Sequence, residues 1–235
     1  MVKHGTLHGV GVGPGDPELM TVKAWRLIST ASVIAYLAAN GKDSTARDIA
    51  KPFFPDEAIE LAIDMPMRTE REPALEAYDK GAAAIAVHLK AGRDVVMLCE
   101  GDPFFYGSFM YVFARLAKDF TTVVVPGVTS ITAAAAAIGR PLAARNEVLK
   151  VLPATLEEDR LREELLTAES AAIIKVGRHF AKVRNILSAL DLVTNSVVIE
   201  KATREDERIR KVEEVDGDTL PYFSTILVYT GRERW

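Results

Sequence analysis

Apolar residues fall in two rhythms along the chain. Short, almost continuous apolar runs recur at Leu7–Val12, Ser32–Leu37, Ile59–Ile63, Asp94–Cys99 and Val123–Val125. Runs of that length bounded by turn residues predict buried strands. Between them lie longer segments with helical spacing, at Leu19–Ser29, Ala46–Pro52, Glu70–Lys90 and Ser108–Lys118, and an alanine-rich stretch that Gly139 ends. In the first of these, Val22, Trp25 and Ile28 are spaced for one buried face. Asp16 before Pro17 suits a helix N-cap with proline in the first turn. Alternating strands and helices predict an α/β layer with a mainly parallel sheet.

After about residue 140 the rhythm changes. Strands are expected at Val148–Leu152, Ala172–Val176, Val197–Lys201, Ile209–Val215 and Ser224–Tyr229. Only two helices separate them, at Leu156–Leu166 and Lys182–Leu190. The last strands follow one another without a helix, which predicts antiparallel pairing. The expected organisation is two α/β domains, 1–125 with a mainly parallel sheet and 126–235 with a mixed one.

Composition narrows the class. Of 235 residues, 49% are apolar and 26% are charged, as in a globular protein with ample core. With 29 basic and 33 acidic residues the net charge is −4, which argues against a general nucleic-acid binder. Cys99 is the only cysteine, so no internal disulfide or all-cysteine zinc site is available and a reducing, cytoplasmic setting is expected. No apolar run reaches the roughly 20 residues of a membrane span. No metal and no membrane partner are expected.

Three glycine-rich turns follow predicted strands: Gly13-Pro14-Gly15-Asp16-Pro17, Glu100-Gly101-Asp102-Pro103 and Pro126-Gly127-Val128-Thr129-Ser130. In a parallel sheet the carboxyl ends of the strands face the ligand crevice, with backbone N–H groups and helix N-termini exposed there. Each turn alone is also consistent with a plain capped turn; three together favour a ligand. The ligand is not NAD: the glycines miss the G-x-G-x-x-G spacing, and no acidic residue stands between Glu18 and Asp43. Walker A, G-x-S-x-G and H-E-x-x-H patterns are also absent.

Together these segments resemble the tetrapyrrole (corrin/porphyrin) methyltransferases. Gly9 to Thr21 is similar to that family's N-terminal signature, Glu100 to Ser108 to its G-D-P loop, Val125 to Ser130 to its third motif, and Glu200 to Thr203 to a late strand motif. Leu98 to Tyr111, Leu152 to Leu156 and Lys175 to His179 resemble the branch that methylates precorrin-2 at C(20) in cobalamin synthesis. One departure is Glu207, where many members carry glutamine.

The resemblance implies a two-domain tetrapyrrole methylase fold with the site in the cleft between the domains, S-adenosyl-L-methionine as cosubstrate, a tetrapyrrole substrate and a homodimer. Carried over, the cofactor contacts fall on Pro14, Gly101, Asp102, Phe105, Thr129, Ser130, Val176 and Ala202. Candidates for taking the proton released after methyl transfer are Glu100, Tyr106, His179 and Asp102, with Asp102 favoured for the cofactor. A precorrin carries many carboxylates, so basic residues should line its trough. Arg68, Arg71, Arg140, Arg145, Lys175, Arg178 and Lys182 sit in predicted loops or at element ends, and Arg178 and Arg140 are the leading candidates. Phe104 is a candidate for stacking on the macrocycle; Phe109 and Phe113, four apart on a helix, read as core. Cys99 reads as inert core.

Overall fold

The computed structural model describes residues 3–39, 44–66 and 71–231. The chain divides into two units, Met1–Thr129 and Ser130–Trp235.

The first unit runs β1 (Leu7–Gly11), α1 (Val22–Ser29), β2 (Val33–Ala39), α2 (Thr45–Ala50), β3 (Ile59–Met65), α3 (Arg71–Lys90), β4 (Val95–Cys99), α4 (Phe109–Leu116) and β5 (Thr122–Val125). Its five strands pair in the order β3-β2-β4-β1-β5, all parallel. Strand alternation sends side chains to two cores. Val33, Ala35, Val95, Met97 and Cys99 face one, with Phe109, Val112 and Leu116 of α4 and Ile85 and Leu89 of α3. Ile34, Tyr36, Val96 and Leu98 face the other, with Ala24 and Ile28 of α1 and Ile49 of α2. Burial on both faces explains why these strands read as continuous apolar runs.

Two local expectations change. Asp16 does cap, but it caps a single 3-10 turn, Pro17–Leu19, its Oδ1 accepting from Glu18 N at 2.8 Å. The α-helix starts later, capped by Thr21, whose Oγ1 accepts from Ala24 N at 3.1 Å. The buried stripe of α1 is Ala24 and Ile28; Val22 is 78% exposed and Trp25 47% exposed. Ala24 and Ile28, four apart on one face, are the residues that the sheet residues Ile34, Tyr36, Val96 and Leu98 bury. Arg68, one of the basic trough candidates, lies outside the described residues, as does Glu70, the expected start of the third helix.

The second unit runs α5 (Ser130–Ala137), β6 (Leu149–Pro153), α6 (Glu158–Leu166), β7 (Ser170–Ile174), α7 (Phe180–Ala189), β8 (Ser196–Glu200), β9 (Arg208–Lys211) and β10 (Ser224–Tyr229). The sheet order is β6-β7-β10-β8-β9; β6 and β7 are parallel and the other pairs antiparallel. Its core joins Leu161 and Leu165 of α6, Phe180, Val183 and Leu187 of α7, and Ile173, Val198, Ile226 and Val228 of the sheet. The strand expected over Ile209–Val215 breaks at Val212, where a 3-10 turn closed by the Glu214 side chain on Lys211 N takes over. Among the described residues no helix is long and apolar enough to cross a membrane.

Candidate functional site

In the first unit the carboxyl ends of β4, β1 and β5 lie side by side, and the three glycine-rich turns meet there. Val12 N donates to Cys99 O at 3.0 Å, and beyond the strands Gly101 N donates to Gly13 O at 2.8 Å. Packing is backbone against backbone. A Cβ on Gly127 would sit 2.0 Å from Gly101 O and 2.9 Å from Gly11 Cα. Only glycine lets the chains come this close. Gly101 itself has φ +61°, a left-handed conformation that favours glycine. A Cβ there would meet nothing nearer than Val128 O at 3.8 Å. This edge of the loop is therefore open to a ligand that reads main-chain groups.

Asp102 binds both turns. Its Oδ1 accepts from Phe104 N at 2.9 Å and its Oδ2 accepts from Gly127 N at 3.0 Å. Pro14, Thr129, Phe105 and Tyr106 stand on the same loops. Tyr106 has φ +56° and rests edge-on against Phe105, centroids 5.2 Å apart. Phe104 is 49% exposed, its ring edge-on to Phe113 at 5.1 Å. Phe109 is fully buried, as its helical spacing implied.

Glu100 precedes this loop, and its Oε1 accepts from Ala46 N at 3.3 Å. Burial pushes its carboxyl above the usual carboxylate range. Burial likewise pushes the Cys99 thiol up to about 11, with a further push from the Glu100 charge, so Cys99 is unreactive core.

In the second unit the carboxyl ends of β7 and β8 share one end of the sheet with the start of β10. Val176 and Ala202, both buried, follow those two strands. Lys175 and Lys201, the first residues past each strand, have φ +57° and +50°, and Thr203 has φ +68°. Left-handed non-glycine residues cost energy and concentrate at working sites. The turn at Thr203 is closed by Glu207, whose Oε2 accepts from Thr203 N at 2.6 Å. A glutamine at this position keeps an oxygen for the same bond.

Gly177–His179 forms a 3-10 turn leading into α7. Arg178 Nε donates to His179 Nε2 at 3.4 Å. Burial, then the charges of Lys182 and Arg178, holds the His179 imidazole below its ordinary pKa. One neighbouring segment bears no motif: Leu220 N donates to Gly177 O at 3.0 Å, and Phe223 O accepts from Lys201 N at 2.7 Å. It joins the two loops and leaves Tyr222 70% exposed. The only sequence signal for it is an aromatic pair after Pro221.

Ser130 opens α5. Arg140 stands apart from the Val176–Ala202 end. Its Nη2 donates to Leu227 O at 3.2 Å, and its guanidinium lies 5.6 Å from the Tyr229 ring. Both partners lie toward the far end of β10.

Residues 6–216 match the family model for Tetrapyrrole (Corrin/Porphyrin) Methylases. The chain is 44% identical to the cobalamin biosynthesis protein CobIJ of Mycobacterium tuberculosis over 242 residues, covering 100% of this chain and 48% of that protein. It thus spans about half the length of this relative. It is 38% identical to the precorrin-2 C(20)-methyltransferase of a Sinorhizobium species, covering 98% of this chain and 97% of that one. The uroporphyrin-III C-methyltransferase of Thermus thermophilus, solved with S-adenyl homocysteine, superposes with a TM-score of 0.70 at 25% identity, covering 96% of this chain and 98% of that one. With a family match over most of its length and an end-to-end relative above 30% identity, the chain belongs to the tetrapyrrole (corrin/porphyrin) methylases.

Proposed function

We propose that this protein transfers a methyl group from S-adenosyl-L-methionine to C(20) of precorrin-2, giving precorrin-3A in cobalamin biosynthesis. The observation that carries the reading is the end-to-end likeness to the Sinorhizobium enzyme of that name. The reading includes two domains, 1–125 and 126–235, acting in the cytoplasm as a homodimer; the lone buried Cys99 accords with a reducing compartment.

The open main-chain edge at Gly101 fits a cofactor that presents amine, carboxylate and hydroxyl groups. Pro14, Gly101, Phe105, Thr129, Ser130, Val176 and Ala202 hold it, mostly through backbone N–H and C=O. When bound, S-adenosyl-L-methionine supplies an electrophilic methyl on a sulfonium. The chain's own task is then to hold the substrate carbon in line, and such positioning is worth several kcal/mol.

Arg178, exposed on the 3-10 turn before α7, pairs with a substrate carboxylate, and Phe104 lies against the macrocycle. Of the acid–base candidates, His179 is best suited to accept a proton, because its surroundings keep it neutral. A substrate carboxylate that draws Arg178 away frees the His179 Nε2 lone pair for that proton. Tyr106 flanks the loop, and Glu100 is a half-buried support.

Anaerobic incubation of the purified protein with labelled S-adenosyl-L-methionine and verified precorrin-2 tests the reading. NMR of the product should show one new methyl at C(20). No transfer, or a methyl at another ring position, overturns it. Transfer to cobalt-loaded precorrin-2 alone would move the assignment to the metal-bearing substrate.

A further inference from the structure

We infer that Tyr222 determines substrate specificity: its ring stacks on the conjugated face of the tetrapyrrole at the Val176–Ala202 end of the second unit. The inference rests on the proposed function, which reads that end as a ligand site. Tyr222 is 70% exposed, and its ring stands edge-on to Phe223, centroids 4.9 Å apart and planes at 86°. One exposed aromatic is ordinary in a folded protein. What sets this ring apart is the segment that carries it.

That segment is tied down on both sides of the ring. Before it, Leu220 is buried in the core of the unit and its N–H donates to Gly177 O at 3.0 Å. After it, Phe223 O accepts from Lys201 N at 2.7 Å, and Ser224 Oγ donates back to Pro221 O at 2.7 Å. Pro221 fixes its own φ. Further upstream, Ala181 N donates to Asp218 O at 3.2 Å and Arg184 Nη1 donates to Gly217 O at 2.9 Å, which pins the chain to α7. The ring is thus displayed from a fixed base between the Gly177 turn and the Lys201 turn. Little chain freedom is left to lose when a ligand lies on it, and such preorganisation favours affinity.

The neighbouring charges select the ligand. Lys175 and Arg178, on either side of Val176 and Gly177, are both exposed, and the Leu220–Gly177 bond holds the start of the aromatic segment against that turn. An aromatic ring beside two cations suits a flat molecule with several carboxylates: the ring takes the conjugated face, and the cations take the acid groups. A precorrin has both features. The adenine of S-adenosyl-L-methionine offers a flat face with no anion at its edge, so it would use only half of this surface.

Steady-state kinetics with precorrin-2 and calorimetry with S-adenosylhomocysteine, both on the full chain, test the inference. Tyr222→Ala should raise the precorrin-2 KM about tenfold, the loss of one stacked ring, with kcat and S-adenosylhomocysteine affinity within about twofold of the parent. Tyr222→Phe keeps the ring and should hold KM within about twofold of the parent. An unchanged KM in Tyr222→Ala overturns the inference, and so does a KM that Tyr222→Phe fails to preserve. Loss of S-adenosylhomocysteine affinity in Tyr222→Ala also overturns it and places the ring on the adenine. Fluorescence titration with uroporphyrin III, a stable tetrapyrrole polycarboxylate, reads the same contact without methyl transfer, and Tyr222→Ala should weaken that binding about tenfold. If the parent binds uroporphyrin III but transfers no methyl to precorrin-2, the C(20) reading fails and the titration alone decides the role of Tyr222. A parent that neither methylates precorrin-2 nor binds uroporphyrin III overturns both.

Discussion

The Ala46 N–H donates a hydrogen bond to Glu100 Oε1 over 3.3 Å, tying the end of β4 to the first turn of α2. Burial raises the Glu100 pKa, so the folded state holds this proton more tightly than the unfolded chain. The stability that comes from Glu100 holding its proton, against the opposing pull of the Ala46 bond, is complete below the unfolded pKa and is lost as pH rises through the folded value. Glu100→Gln removes that loss. The melting temperature of the variant, relative to the parent, should rise as the pH climbs above the unfolded value. A difference constant with pH would show that Glu100 is not protonated preferentially in the fold.

Glu60 behaves in the opposite sense. Hydrogen bonding from Arg47, against a smaller opposing effect of burial, and further bonds from Lys51 and Tyr36 pull its carboxyl down to about 2. Arg47 Nε lies 2.6 Å from Oε2, and the Tyr36 hydroxyl donates to the same oxygen at 2.8 Å. This stability is present above the unfolded pKa and is lost as pH falls toward 2. After solvent screening, Glu60→Gln should cost about 1 kcal/mol at pH 7, or roughly 2–4 °C in Tm. The cost should vanish near pH 2 in acid titrations followed by circular dichroism.

Phe104 and Phe109 share a ring cluster but differ in role. Phe109 is fully buried between α4 and the sheet, and Phe109→Ala should cost about 3–5 kcal/mol in urea unfolding. Phe104 is half-exposed, and Phe104→Ala should cost less than about 1 kcal/mol. Its effect should fall on the substrate KM instead. A Phe104→Ala variant with unchanged steady-state kinetics would remove it from the substrate surface.

Arg178→Ala should raise the substrate KM about tenfold, the value of one exposed charge-assisted pair, and leave S-adenosylhomocysteine affinity unchanged. The reverse pattern would move Arg178 to the cofactor. In the proposed exchange of partners Arg178 also frees His179, so the pH profile of kcat should shift in the same variant.

Much of this was legible in the residues. Val95–Cys99 and Val33–Ala39 announced themselves as strands because burial on both faces removes polar interruptions. The Gly13, Gly101 and Gly127 turns were legible because glycine is enriched where backbones must touch. Val22 and Trp25 misled because helical spacing tells which residues share a face, not which face the sheet covers. Lys175, Lys201 and Thr203 gave no warning: a lysine or threonine reads the same in either half of φ space, and only packing forces it into the left-handed one.

By itself the order of residues determined which segments are strands and helices, which turns are glycine-rich, and which family the chain resembles, because those properties are local or motif-borne. Tertiary structure alone decided the strand order β3-β2-β4-β1-β5, which sets β4, β1 and β5 side by side. It also decided that Asp102 reaches Gly127 and that Lys201 is bonded to the Phe223 carbonyl. Those contacts join residues 25 and 22 positions apart, and they exist only once the strands that carry them have paired.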